Sequence, residues 1–372
     1  MSEYPGRVPD PVIGWDVGGA HLKAALLRDG ELVDVAQWPC PLWLGQDRLS
    51  QAVAQARHRW PGVIEQARHG LTMTAEMVDL FPDRASGVAA LAAQLAQELT
   101  GSATPPVDRL AWYAGPADVG GGEMAATATW LCSRDTAAQW RRLASANYLA
   151  TASLAAAVLG DGVLVDIGST TTDLIAFGGG SVLSLGQGDA GRLASGELVY
   201  QGVVRTPLIA LAQRVPFGGQ NVSVMNELFA TSADVYRLTG ELDDAHDQQP
   251  TADGAAKTPE ATRQRLARLL GRDAADADPE RWLDLARFWR ERQLAELAQG
   301  LQRVAHASRL PGQAPLVAAG CGAFLVAELA RDLGRPALSF GAEVLGLAPG
   351  HALTGWAQVC APAVAVALLL ET

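Results

Sequence analysis

Asp166-Ile167-Gly168-Ser169-Thr170-Thr171-Thr172-Asp173 is the stretch on which the fold turns. It follows the apolar run Gly162-Val163-Leu164-Val165 and leads into Leu174-Ile175-Ala176-Phe177. That pattern reads as a strand, a tight glycine-containing turn and a second strand. Gly178-Gly179-Gly180 then turns the chain into a third run at 181–185. The same plan stands once before. Val12-Ile13-Gly14-Trp15-Asp16-Val17 is a strand, Gly18-Gly19 a turn and 21–28 a second strand. Asp29-Gly30, a strong hairpin signal, then leads into a third strand at 31–38. Repetition of a strand, Asp, glycine turn and strand predicts a chain built from two similar α/β halves.

The rest of the chain fits around these two hairpins. Helical spacing covers 46–60, 86–99, 136–159 and 281–306, and short strands are expected at 70–74, 110–113, 315–319 and 337–340. The strand at 315–319 runs into Gly320-Cys321-Gly322 and then a helix at 324–333, a nucleotide-type turn. The stripe Trp282, Leu285, Phe288, Trp289, Leu294 and Leu297 reads as core. The expected division is a first domain at 1–125, a second at 126–353 and a C-terminal helix at 354–372 that packs back onto the first. A polar insertion at about 241–280 reads either as mobile surface or as a lid.

Composition narrows the function. Hydrophobic residues make up 49% of the 372, enough for a sizeable core. Asp plus Glu number 40 against 29 Lys plus Arg, so a nucleic-acid footprint is not expected. The four cysteines, Cys40, Cys132, Cys321 and Cys360, form no CxxC pair, so neither a zinc site nor a redox motif is indicated. The first residues carry no secretory pattern and no apolar run is long enough to span a membrane, so the expectation is a soluble cytoplasmic protein. A homo-oligomer stays open.

In both hairpins an Asp ends a strand and glycine backbone follows at once. Glycine permits close approach, and successive N–H groups there form a nest for an anion. The Asp cannot favour a phosphate directly, but it can hold a divalent cation that bridges to one. Asp16 and Asp166 are therefore the candidate Mg²⁺-linked carboxylates, either able to double as general base, and Asp173 is a third candidate for the metal. Gly18, Gly19, Gly168, Ser169, Thr170 and Thr171 are candidate phosphate donors, with Gly320 and Gly322 as a third contact. His21 and Lys23 alternate on a strand and share a face, so both are candidates for the anion. Two such loops facing each other would grip a di- or triphosphate from both sides.

These loops and the Gly-x-Gly turn resemble the phosphate-one, phosphate-two and adenosine motifs of the sugar kinase/heat-shock-70/actin superfamily. That resemblance implies two ribonuclease-H-like domains with a cleft between them. The loop from Asp166 to Asp173 is most similar to the hydantoinase/oxoprolinase branch. Gly14-Trp15-Asp16-Val17-Gly18-Gly19-Ala20-His21-Leu22-Lys23, Leu71-Thr72-Met73-Thr74-Ala75-Glu76-Met77, Gly196-Glu197-Leu198-Val199-Tyr200-Gln201-Gly202-Val203-Val204-Arg205-Thr206-Pro207 and Ala233-Asp234-Val235-Tyr236-Arg237-Leu238-Thr239-Gly240 narrow it further. They resemble the proteins of the tetrahydromethanopterin-linked one-carbon pathway, a family that includes a synthase of methanofuran assembly.

The resemblance implies a transferase that joins an aminomethylfuran diphosphate to the phenol of (γ-glutamyl)tyramine and releases pyrophosphate with Mg²⁺ assistance. No ATP is consumed in that scheme. The alternative is an ATP-dependent small-molecule kinase or an oxoprolinase-type amidohydrolase. Under the first reading Glu76 would orient the substrate amine or take the phenol proton, and Arg205 would fork onto the γ-glutamyl carboxylate or a phosphate. Relatives often carry a charged Asp-Gly-Arg-Asp-like run in the polar insertion. Ala252-Asp253-Gly254-Ala255-Ala256-Lys257 lacks its arginine and second acid, and Lys257 is the candidate to supply the charge.

Overall fold

The computed structural model describes residues 10–116, 118–120, 123–124, 128–348 and 350–372. The chain divides into two compact units, Met1–Leu154 with Gly346–Thr372, and Ala155–Leu345. They part within the helix Asn147–Leu159, later than the boundary read from the sequence.

In the first unit β1 (Val12–Val17), β2 (His21–Arg28) and β3 (Glu31–Pro39) form an antiparallel meander. The β2–β3 turn puts Asp29 and Gly30 at φ +52° and +76°, as a type I′ hairpin requires. Next, β4 (Arg68–Met73) and β5 (Leu110–Ala114) run parallel to β1, and β6 (Thr129–Leu131) pairs antiparallel with β5. The order is β3-β2-β1-β4-β5-β6. One face turns Trp15, Leu71 and Trp112 in register into the core.

The opposite face carries Gly14, and the C-terminal helix Ala361–Glu371 lies on it. A Cβ on Gly14 would fall 2.6 Å from Ala367 N, so only glycine admits the helix that closely. Arg68 ties down its end, donating from Nη2 to Leu370 O at 2.9 Å.

The second unit repeats the plan. Here β7 (Gly162–Ile167), β8 (Thr172–Gly178) and β9 (Ser181–Val182) are antiparallel. The short β10 (Leu198–Val199) adds to β8. Finally β11 (Leu316–Ala319) and β12 (Ala337–Ser339) run parallel to β7. The order β9-β8-β7-β11-β12 matches the first five positions of the first sheet, which adds β6 at its edge. Two mixed sheets of one strand order, with their helices, are the ribonuclease-H-like pattern. The long helix Pro279–Ala307 buries Trp282, Leu285, Trp289, Leu294 and Leu297, so the apolar stripe is core.

One expectation is corrected. The helix at 136–159 is broken: a short turn Trp140–Leu143 ends at extended Ala144, and the main helix starts at Asn147. Between them Ser145 sits at φ +52°. The polar insertion also carries an ion network that the sequence reading did not include. Arg265, fully buried, donates to Asp234 at 2.7 Å and Asp253 at 3.3 Å. Arg237 bonds Asp247 at 2.6 Å, and Lys257 pairs with Asp247 at 3.1 Å. Lys257 thus serves the insertion's own packing. The partners lie up to 31 positions apart, so no local pattern announced them.

Candidate functional site

In the second unit, antiparallel pairing sets Asp166 opposite Asp173, and β11 places Ala319 on the other side of Asp166. Gly168 N–H donates to Thr171 O at 2.8 Å and closes the turn. A second layer of backbone docks on it. Val203 N–H donates to Gly168 O at 3.0 Å, and Val204 and Arg205 N–H donate to Ser169 O at 3.0 and 2.8 Å. The carbonyls that would repel an anion are therefore consumed by the protein. Gly202 is required for this approach, since a Cβ there would lie 2.5 Å from Gly168 O and Thr170 N. Behind it, Gln293 Nε2 donates to Gly202 O at 3.1 Å and Tyr236 Oη donates to Gln293 Oε1 at 2.7 Å. Burial pushes the Tyr236 phenol pKa up and keeps it a donor.

The Gly320–Gly322 turn locks onto the same strand end. Gly322 N–H donates to Ile167 O at 2.8 Å. Gly320 sits at φ +81°, and a Cβ on it would fall 2.5 Å from Asp166 Oδ1. The Gly-x-Gly turn and Asp166 are thus one packed constellation.

Asp173 faces a different partner. It is buried and ion-paired with buried Arg192, which also donates to Asp189 at 2.8 Å. Burial raises the Asp173 pKa, Arg192 opposes that, and Asp189 and Glu197 add to it. Glu197 accepts from Leu185 N at 2.8 Å and Gly186 N at 2.6 Å, a loop-bracing role. Arg205 is exposed, with Nη1 3.5 Å from Thr170 Oγ1, at the lip of the 168–171 turn.

In the first unit, Lys23, Asp16 and Thr72 stand in register across β2, β1 and β4. Lys23 Nζ lies 3.8 Å from Asp16 Oδ2. Thr72 Oγ1 is buried with no hydrogen-bond partner among the described residues. Gly18 N–H donates to His21 O at 3.0 Å, which closes the turn; His21 is buried.

Glu76, 1% exposed, sits in the single turn Ala75–Met77. Its Oε1 accepts from Ser145 Oγ at 2.8 Å and Arg84 Nη2 at 3.1 Å. Burial raises its pKa against those two donors. The left-handed Ser145 that breaks the expected helix is the residue that delivers this hydroxyl. Sequence reading missed Ser145, Arg84, Arg192 and Gln293. Each acts across 8 to 91 positions of chain, and only the left-handed serine leaves even a local trace.

Among the described residues, no group of three or more His, Cys, Asp or Glu is arranged to hold a metal ion. A protein-only cage is therefore not what these residues offer. Magnesium keeps its waters and takes one or two carboxylates together with substrate phosphates, and Asp166 at the end of β7 is a donor of that kind.

Comparison with known proteins adds the family. The sequence model of the hydantoinase/oxoprolinase family matches residues 130–357, more than half of the chain. A protein of Methanocaldococcus jannaschii is 28% identical over 276 residues, covering 74% of this chain and 76% of its own. One from Methanococcus vannielii is 30% identical over 124 residues, 33% of this chain and 55% of its own. Both are named (4-{4-[2-(gamma-L-glutamylamino)ethyl]phenoxymethyl}furan-2-yl)methanamine synthase. Component A of the (R)-2-hydroxyglutaryl-CoA dehydratase of Acidaminococcus fermentans superposes over 97% of each chain with a TM-score of 0.45 at 10% identity.

Proposed function

The chain belongs to the hydantoinase/oxoprolinase family, and from that premise we propose that it is a synthase of methanofuran-type cofactor assembly. The enzyme joins an aminomethylfuran diphosphate to the phenol of γ-glutamyltyramine. The observation that carries this reading is the likeness to the Methanocaldococcus jannaschii synthase across three quarters of both chains.

The step is a substitution at carbon. The bond from the furfuryl carbon to the diphosphate oxygen breaks, and its electron pair leaves with pyrophosphate. The phenol oxygen forms the new bond to that carbon, and the phenol proton passes to a loop carboxylate, Asp16 or Asp166. The leaving anion is received on glycine-loop amides, either that of Gly19, beside Lys23 and His21, or those of Ser169, Thr170 and Thr171. Asp166 would hold Mg²⁺, which when bound would supply charge neutralisation at the leaving group. Gly320 and Gly322 hold Asp166 in place. Arg205 takes the γ-glutamyl carboxylate. Glu76, enclosed by Ser145 and Arg84, fixes the segment after β4 and is not the base.

The test is incubation of the full chain with both substrates and Mg²⁺ but without ATP. The expected result is ether and pyrophosphate in equal amounts, and a large fall in rate in Asp166→Asn and Asp16→Asn. A turnover that needs ATP and releases ADP would replace this reading with a kinase or an amidohydrolase.

A further inference from the structure

Four large apolar side chains stand exposed beside the first glycine loop: Trp43 at 37%, Leu44 at 62%, Met77 at 55% and Leu80 at 41%. Scattered exposed apolar residues are ordinary. These four sit on two short segments that both touch Gly19. Leu42 N–H, at the start of the turn Leu42–Leu44, donates to Gly19 O at 3.1 Å. Val78, which follows the turn Ala75–Met77, packs so close that a Cβ on Gly19 would lie 2.9 Å from its Cγ1. Both turns are anchored from beneath, by fully buried Leu42 and by Ala75 and Glu76. The exposed side chains are therefore carried on anchored turns that contact Gly19, in the loop between β1 and β2.

We infer that this shelf receives the furan ring of the diphosphate substrate. The inference rests on the synthase reading above and names the group that reading leaves unplaced. The furan is joined to its diphosphate through a single carbon. When the anion lies on the Gly19 amide, the ring falls among the residues that adjoin Gly19. An indole and a thioether suit a flat π-system, by ring packing and sulfur–aromatic contact. An apolar floor under the furfuryl carbon also keeps water from it while the diphosphate leaves, so the phenol and not water forms the new bond.

Leu44→Ser and Met77→Ser test this, since both side chains are more than half exposed and their loss leaves the fold intact. The expected KM for the furan diphosphate rises about tenfold in each, a usual effect of lost apolar contact in a substrate pocket. Pyrophosphate release without ether formation rises with it. The KM for γ-glutamyltyramine and the inhibition constant of inorganic pyrophosphate stay unchanged. A rise confined to the KM of the phenol would overturn the assignment in favour of the other ring. Unchanged constants with a later elution volume on size exclusion would mean that a second copy covers the shelf. Unchanged constants and elution would mean that nothing does. If the wild-type chain forms no ether at all, the synthase reading fails. The shelf is then judged by binding alone: furan diphosphate should quench tryptophan emission in the wild type and not in Trp43→Leu, and equal quenching in both rejects it.

Discussion

Substituting Gly320 by alanine separates two costs that glycine avoids. The first is conformational: φ +81° is outside the range an alanine adopts freely, and the penalty is about 1 kcal/mol. The second is steric. The new Cβ would stand 2.5 Å from Asp166 Oδ1 and 2.5 Å from Ile167 C, where carbon–oxygen and carbon–carbon contacts normally settle at about 3.3–4 Å. The Ile167 backbone belongs to a buried strand and cannot swing aside, so overpacking adds about 1–3 kcal/mol, while the Asp166 carboxylate is displaced. Gly179→Ala supplies the control, because its φ is +58° and a Cβ there meets nothing within 4 Å. Urea unfolding should show a loss of about 1 kcal/mol for Gly179→Ala and about 2–4 kcal/mol for Gly320→Ala. Pyrophosphate release should be unchanged in the first and fall at least tenfold in the second, because relief of the clash moves the Asp166 carboxylate. Equal destabilisation of the two variants, with activity kept in both, would refute the claim that the Gly-x-Gly turn fixes Asp166.

Three further outcomes follow from buried polar groups. Trp15 Nε1 donates to His69 Nδ1 at 3.1 Å and His69 Nε2 then faces Ile64 O at 3.0 Å, so a neutral ring suits the core and burial pushes its pKa down to about 3. The unfolded ring protonates near pH ~6.5 and the folded one does not, so this stability is full above that pH and is lost as pH falls towards 3, by about 1.4 kcal/mol per unit. Urea midpoints of His69→Gln should lack that acid slope, and a slope equal to the wild type's rejects the assignment. Arg192→Met leaves the Asp173 carboxyl buried without its partner and should cost about 3–5 kcal/mol, most of it restored by adding Asp173→Asn; an unrestored double variant contradicts the pairing. Ser145→Ala keeps the left-handed strain and loses the hydroxyl on Glu76, whereas Ser145→Gly loses only the hydroxyl. Thermal melts should therefore place the glycine variant about 1 kcal/mol above the alanine one, and equal stabilities would show that the strain is absent.

What was legible in the sequence is what acts locally. The two Asp-ended strands, their glycine turns and the Asp29-Gly30 hairpin are written within a few consecutive residues, and the structure reproduces their order in both sheets. The site's supports are not local. Arg192 reaches Asp173 over 19 positions, Gln293 reaches Gly202 over 91, and Ser145 reaches Glu76 over 69. The helical reading at 136–159 could not reveal the break at Ser145, whose hydroxyl partner lies on another segment. Glu76 reads as a strand-end acid open to substrate until those partners enclose it. The insertion reads as mobile surface or as a lid, and its charge pairing runs between residues too far apart for a local pattern to show.

The central claim is that bond cleavage occurs at carbon and not at phosphorus. The measurement that tests it most directly is an oxygen-18 label in the bridging oxygen between the furfuryl carbon and the diphosphate. Substitution by the phenol sends the label out with pyrophosphate and leaves none in the ether. Label retained on the furan as its alcohol, with a phosphoryl group moved elsewhere, would contradict the account.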